Sequence, residues 1–422
     1  MHALNEVSDS IHLIILRMKA GLYIHIPFCE SRCIYCGFYS TTAKDWRTRY
    51  VDALLKEMRM RSGELKTLYP DHECTIDTVY IGGGTPSTLS IDDLSRIINT
   101  IKAVFPCKTR EITIEMNPDD VTTELISAVR NLGVNRISLG VQTFSDERLR
   151  FIRRRHNAAQ AAKAVETIRR AGIDNISIDL MFGFPHETLN DWQNDLDAAL
   201  KLRPNHISAY SLMYEEGTPL YLMLQNDKVQ QTDDDTCLAM YTMLMDTLSA
   251  NGYEHYEISN FCLPGYRAIH NSSYWNSTPY MGIGAAAHSY DINSRQWNIS
   301  DLLIYIKEVE DGTRLRNRST LKIQYSTING YKGLLNQIIE YEKKRHRIID
   351  WDDMTFDFYD DFKRFFIEKE YSPNTIARNI RILKTMLYAA KDMHYTTRDD
   401  FMSKKWSVDR EEVDNIYISS SR

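Results

Sequence analysis

Three cysteines fall within eight residues, Cys29-Glu-Ser-Arg-Cys33-Ile-Tyr-Cys36, directly after the β-rich run Gly21 to Ile26. Thiolates bind zinc and iron–sulfur clusters alike. A structural zinc wants a fourth protein ligand, whereas three cysteines on a four-iron cluster leave one iron open for a substrate; the spacing favours the second case, with a zinc knuckle or chance thiols as the alternative. Cys74, Cys107, Cys237 and Cys262 are scattered and read as structural thiols. A second candidate is Ile81-Gly82-Gly83-Gly84-Thr85-Pro86, where glycines let backbone groups approach a ligand without a Cβ in the way; taken alone it is a tight turn. Glu115, Gln142 and Asp179 sit at the ends of other β-rich runs, as ligand-facing polar groups or as solvated strand ends. Arg154, within Arg153-Arg154-Arg155-His156, is a ligand contact or part of a basic turn.

These residues need a scaffold that gathers strand ends. From 21 to about 258, β-rich runs (21–26, 77–82, 110–116, 135–141, 174–181, 206–212) alternate with helical periodicity (45–61, 90–104, 121–132, 158–171, 189–201, 233–250). Six such repeats predict an α/β fold, a partial (β/α)6 TIM-like barrel with function at the C-terminal ends of its strands. A further strand is expected over 253–258, and the Gly/Pro/aromatic stretch 262–300 is expected to be irregular and to cover the barrel mouth. Beyond Thr313 the chain turns helical, aromatic and densely charged. The predicted organisation is a non-native N-terminal extension over 1–17 from a misassigned start codon, a barrel with its lid region over 18–313, a linker at 314–320, an all-α domain over 321–410 and a tail at 411–422.

The composition, 43% hydrophobic and 26% charged, is that of a globular protein, and a net charge of −6 gives no global reason to expect a polyanionic partner. Seven cysteines, an odd count with three crowded together, suit a reducing compartment, so a cytoplasmic location is expected. The apolar run Ile11 to Leu16 is too short to span a bilayer, and no membrane span is expected.

The C-x3-C-x2-C run resembles the signature of radical S-adenosylmethionine (SAM) proteins, which implies a [4Fe–4S] cluster whose open iron chelates SAM and whose electron cleaves the sulfonium to a 5′-deoxyadenosyl radical. Tyr23-Ile-His-Ile-Pro-Phe-Cys29, Cys36-Gly37-Phe38, the Gly82–Pro86 loop, Gly140-Val-Gln142-Thr-Phe144, Ile178-Asp179-Leu-Met-Phe-Gly183-Phe-Pro185 and His270-Asn271-Ser-Ser-Tyr274-Trp275 together resemble the family of oxygen-independent coproporphyrinogen III oxidases. The oxidase branch carries a further cysteine where Phe38 stands here, and the His270–Trp275 box resembles the family's haem-chaperone branch. The resemblance implies SAM contacts from Tyr23, Gly83, Gly84, Thr85, Glu115, Gln142, Arg154 and Asp179. It also implies haem as cargo with His270 as a haem-associated histidine, haem-accepting partner proteins, and an electron donor for the cluster. An axial imidazole beside the aromatic faces of Tyr274 and Trp275 would suit a porphyrin; a hydrogen-bonded histidine in a lid loop is the alternative. The competing activity, radical decarboxylation of coproporphyrinogen propionates, is disfavoured by Phe38.

After about residue 318 the family's own C-terminal domain is not recognisable. Residues 321–410 instead resemble the core-binding domain of phage-type tyrosine recombinases. Ser372 and Pro373 read as a helix start, with Ile376, Ile380, Leu383 and Leu387 on one face and Arg378, Arg381 and Lys384 elsewhere. That basic surface is a weak candidate for DNA phosphates. The recombinase catalytic domain would lie downstream of the chain's end, so no strand transfer is expected, and the junction reads as a truncated chaperone joined to an integrase fragment.

Overall fold

Leu22, Ile24 and Ile26 alternate with Tyr23 and His25 along the first strand, so one face enters a dry layer under helices while the other faces a polar lumen. The computed structural model describes residues 16–69, 72–313, 325–392, 396–403 and 405–406. The same alternation runs through β1 (Leu16–Ile26), β2 (His72–Gly83), β3 (Cys107–Met116), β4 (Arg136–Gln142), β5 (Asn175–Phe182) and β6 (His206–Ser211). Adjacent members pair in parallel from β1 through β6. The helices between them start where capping chemistry dictates: Ser90, Thr122, Asn157, Thr188 and Asp233 each accept a backbone N–H of the first turn.

The expected partial barrel is present, with more strands than the sequence suggested. β7 (Glu254–Glu257), β8 (Asn260–Cys262), β9 (Tyr280–Ile283), β10 (His288–Tyr290) and β11 (Arg295–Trp297) extend it to the order β11-β10-β9-β1-β2-β3-β4-β5-β6-β8-β7. The barrel stays open between its two flanks. β1 starts at Leu16 rather than at 21 and pairs along β2 with a shift at Ala20/Gly21, so Met18 lies inside a strand and the last two residues of the expected extension belong to the sheet. The rest of that extension, together with the 314–320 linker and the 411–422 tail, lies outside the described residues.

The stretch 262–300 does not simply cover the mouth. Ile269 and His270 donate their backbone N–H groups to Glu111, and Gly21 donates to the Pro279 carbonyl, which places 262–279 at the end of the lumen away from the cysteines. β9 then climbs beside β1, and only 284–287 reaches the cysteine end. There the Tyr50 hydroxyl accepts from Ala285 and donates to the His25 carbonyl. Nearby, the wholly buried Glu57 accepts from Gly284, Asn298, Tyr305 and Arg61, a charge enclosed but fully hydrogen-bonded. Tyr305 belongs to helix Leu302–Glu310, whose Tyr305, Ile306 and Val309 are buried in the barrel's core.

The chain divides into two compact units between Thr320 and Leu321. The second contains helices Tyr325–Arg345, Phe356–Glu368 and Pro373–Asp392 around a core of Phe358, Phe362, Phe365, Phe366, Ile380, Leu387 and Trp406. Ser372 caps the last helix through the Thr375 N–H, as expected. Arg378 and Arg381 are exposed, whereas Lys384 donates to the Trp406 carbonyl and serves the fold. No helix among the described residues is long and apolar enough to cross a membrane.

Candidate functional site

The cysteine loop leaves β1 at Ile26 and is stitched to the glycine loop that leaves β2: Gly84 N–H donates to the Ile26 carbonyl at 2.7 Å and Thr85 N–H to the Phe28 carbonyl at 2.8 Å. Cys29, Cys33 and Cys36 are half-buried on it. Thr85 Oγ1 lies 3.4 Å from Cys29 Sγ, and Arg154 Nη1 donates to Cys33 Sγ at 3.7 Å. Burial pushes the Cys29 and Cys36 thiols up, with charge on Cys33 adding to the effect; the Thr85 contact opposes it at Cys29. Among the described residues no three His, Cys, Asp or Glu side chains close around a single ion. Three thiolates on one loop are a donor set that fits a four-iron cluster, which takes its thiolates on separate irons and leaves one iron open.

Behind the loop the candidate ligand residues converge at the C-terminal ends of the strands. Arg154 reaches back to Asn117 Oδ1 at 2.7 Å and the Gly140 carbonyl at 2.6 Å, leaving its Nε without a partner. Gln142 has φ 71°, a conformation uncommon outside glycine, at the point where β4 slips register against β5. Tyr23 bonds His25 Nδ1 at 3.0 Å and stacks on Tyr80. Glu115 accepts from Tyr80 at 2.7 Å and from Gly83 N–H at 3.0 Å; burial raises its carboxyl to about 7, with the charge on Asp179 adding to that. Asp179 accepts from Ser138 at 3.3 Å and is raised by burial to about 6. Gly83, with φ 114° and His25 packed where a Cβ would stand, and Gly84, against the backbone of Ile26 to Phe28, serve loop packing as much as ligand approach.

Tyr80, Asn117, Ser138 and Arg136 also belong to this cluster, although no motif singles them out. Tyr80 and Ser138 alternate with the apolar residues of their strands, and Asn117 follows Glu115 by two positions. Arg136, at a strand start, has the look of a solvated end, yet it is 1% exposed inside the lumen.

His270 takes the hydrogen-bonded arrangement of the two that the sequence leaves open. The imidazole is 1% exposed beneath the lumen, with Nδ1 2.9 Å from Thr78 Oγ1 and Nε2 3.1 Å from the Tyr274 hydroxyl, and its ring stacks on Tyr80. Burial lowers its pKa to about 3. Both ring nitrogens are engaged, so in this arrangement it offers no free axial position, whereas Tyr274 and Trp275 from the same box are exposed at the barrel's open flank. There, with Tyr80, Tyr210, Glu257, Ser259, Asn260 and Asn271, they line a pocket of about 350 Å³.

A partial barrel of parallel strands with three cysteines on the loop after its first strand is the arrangement of the radical SAM superfamily, and the superfamily's model matches residues 23–199. Membership implies a [4Fe–4S] cluster and SAM as cofactors. Heme chaperone HemW of Lactococcus lactis is 36% identical over 302 residues, 71% of this chain and 77% of the relative. Those of Bacillus subtilis and Mycobacterium tuberculosis are 38% and 33% identical, spanning 75% and 71% of their own lengths and 68% and 66% of this chain. The chain belongs to the HemW family. Coproporphyrinogen III oxidase (HemN) from Escherichia coli, a radical SAM enzyme, shares the fold with a TM-score of 0.61 at 22% identity, over 74% of this chain and 73% of its own. Residues 302–408 match the phage integrase SAM-like domain, where SAM names a helical fold and not the cofactor. That match begins on helix Leu302–Glu310, which packs in the barrel unit.

Proposed function

We propose that this chain is a cytoplasmic haem chaperone that binds haem and passes it to acceptor proteins. Cys29, Cys33 and Cys36 would hold the cluster, and Tyr23, Gly83, Gly84, Thr85, Glu115, Gln142, Arg154 and Asp179 would hold SAM. An external electron donor would reduce the cluster, which when bound supplies a reducing electron at the sulfonium. The observation that carries the reading is the presence, in one barrel, of a cysteine loop backed by convergent polar strand ends and an aromatic-walled pocket that borders them through Tyr80 and Tyr274. Tyr274 and Trp275 supply faces on which a flat, largely apolar macrocycle can stack. His270, behind Tyr274, positions that wall through its 3.1 Å contact. The alternative, oxidation of coproporphyrinogen III, is disfavoured by Phe38, which stands exposed where the oxidase branch has a cysteine.

The test is anaerobic cluster reconstitution followed, on one sample, by iron analysis, haem titration, a SAM-cleavage assay and product analysis with coproporphyrinogen III. Expected are about four irons per chain, a saturable Soret change and no decarboxylated product. Replacing Cys29, Cys33 and Cys36 with serine abolishes the brown absorbance; iron retained by that variant rules out the cluster assignment. Trp275→Ala weakens haem binding with the cluster unchanged. His270→Ala lowers affinity at an unchanged Soret position if the histidine positions Tyr274, and shifts the Soret band if it ligates iron.

A further inference from the structure

Among the described residues, the lumen contains a buried guanidinium two of whose three nitrogens have no hydrogen-bond partner. Arg136 opens β4, is 1% exposed, and has no hydrogen-bond partner for Nε or Nη1. Directly beside it on β3 stands Thr113, 0% exposed, whose hydroxyl is likewise without a partner. The nearby carboxylates are committed elsewhere, Glu115 to Tyr80 and Gly83 and Asp179 to Ser138. The charge of Arg136 reaches both, and also His206 and His270, whose protonation it disfavours. A guanidinium enclosed with open N–H groups is costly unless an acceptor completes it, and its fork geometry matches a carboxylate.

The register says where such an acceptor would come from. Tyr80, Thr113 and Arg136 occupy one row across β2, β3 and β4, and Tyr80 is also a wall of the flank pocket. For a molecule lying against Tyr80, Tyr210, Tyr274 and Trp275, Thr113 stands one strand and Arg136 two strands beyond Tyr80 along that row, about 5 and 10 Å away at the usual strand spacing. Asn260, 6% exposed with its Oδ1 unpartnered, adds a polar group to the pocket. We propose that Arg136 and Thr113 form a carboxylate site in the barrel lumen, occupied by a propionate arm of the tetrapyrrole seated in the flank pocket. The identity of the ligand's body rests on the haem-chaperone reading; the carboxylate does not.

The test compares haem with haem dimethyl ester, which keeps the macrocycle and removes both acidic groups, by Soret titration of the full chain after reconstitution. The wild type is expected to bind free haem about tenfold or more tightly than the ester, as one charge-assisted contact implies. Arg136→Gln erases that preference without weakening ester binding, Arg136→Lys retains most of it, and Thr113→Val retains part. Equal binding of haem and ester by the wild type overturns the carboxylate site while leaving the haem reading intact, and this comparison holds even where an Arg136 variant does not fold. If the wild type binds neither, the haem reading falls and this occupant falls with it.

Discussion

At Glu115 a carboxyl group sits between the Tyr80 hydroxyl and the Gly83 amide, facing Asp179 across the lumen, and its pKa rises from an ordinary 4.5 to about 7. The folded state thus keeps a proton that the unfolded chain releases. The contribution to stability is fully present below pH 4.5 and is lost as pH rises through about 7. Glu115→Gln cannot titrate and can still accept one of the two hydrogen bonds. Thermal melts of the unliganded protein are therefore expected to show wild-type stability falling relative to the Gln variant between pH 5 and pH 8. Parallel pH profiles for the two proteins would show that the carboxyl is ionised throughout.

The glycine loop and the cysteine loop act as one element, because their backbones lie too close to admit a side chain. A Cβ on Gly84 would stand 2.8 Å from the Pro27 carbonyl carbon and 2.9 Å from the Ile26 and Phe28 oxygens, all main-chain atoms that cannot swing aside. Gly84→Ala is expected to cost roughly 1–3 kcal/mol in chemical denaturation and to lower iron content after reconstitution, since the displaced backbone carries Cys29. Gly63→Ala, with open space around it, is the neutral control. At this scale the sequence was readable where periodicity runs long: the six parallel strands and the helices between them stood out because apolar positions recur over whole elements. The β8–β11 segments escaped because strands of three or four residues are too short to carry a period. The cysteine loop was legible because its ligands are neighbours in sequence. The placement of His270 under the lumen was not, because it depends on contacts with Thr78 and Glu111, almost two hundred and about 160 positions away.

The molecule as a whole joins two units, each with its own core. A chain ending at Thr313 retains helix Leu302–Glu310 and every partner of Glu57 named above, so it is expected to remain soluble and to take up iron, SAM and haem as the full chain does. Insoluble protein, or an iron content far below that of the full chain, would make the helical unit integral to the barrel. The enclosure of Glu57 also bears on the order of events during synthesis. The strand that presents the cysteines leaves the ribosome well before Ala285 and Tyr305, yet its His25 carbonyl is held by Tyr50, which meets Ala285, beside a carboxylate closed over by Tyr305. The thiols are therefore made long before their housing. Until the helix containing Tyr305 has emerged and docked, the nascent chain lacks the contacts that close around Glu57 and brace Tyr50 at the end of the cysteine strand, so iron uptake is expected to be complete only after the barrel has been translated.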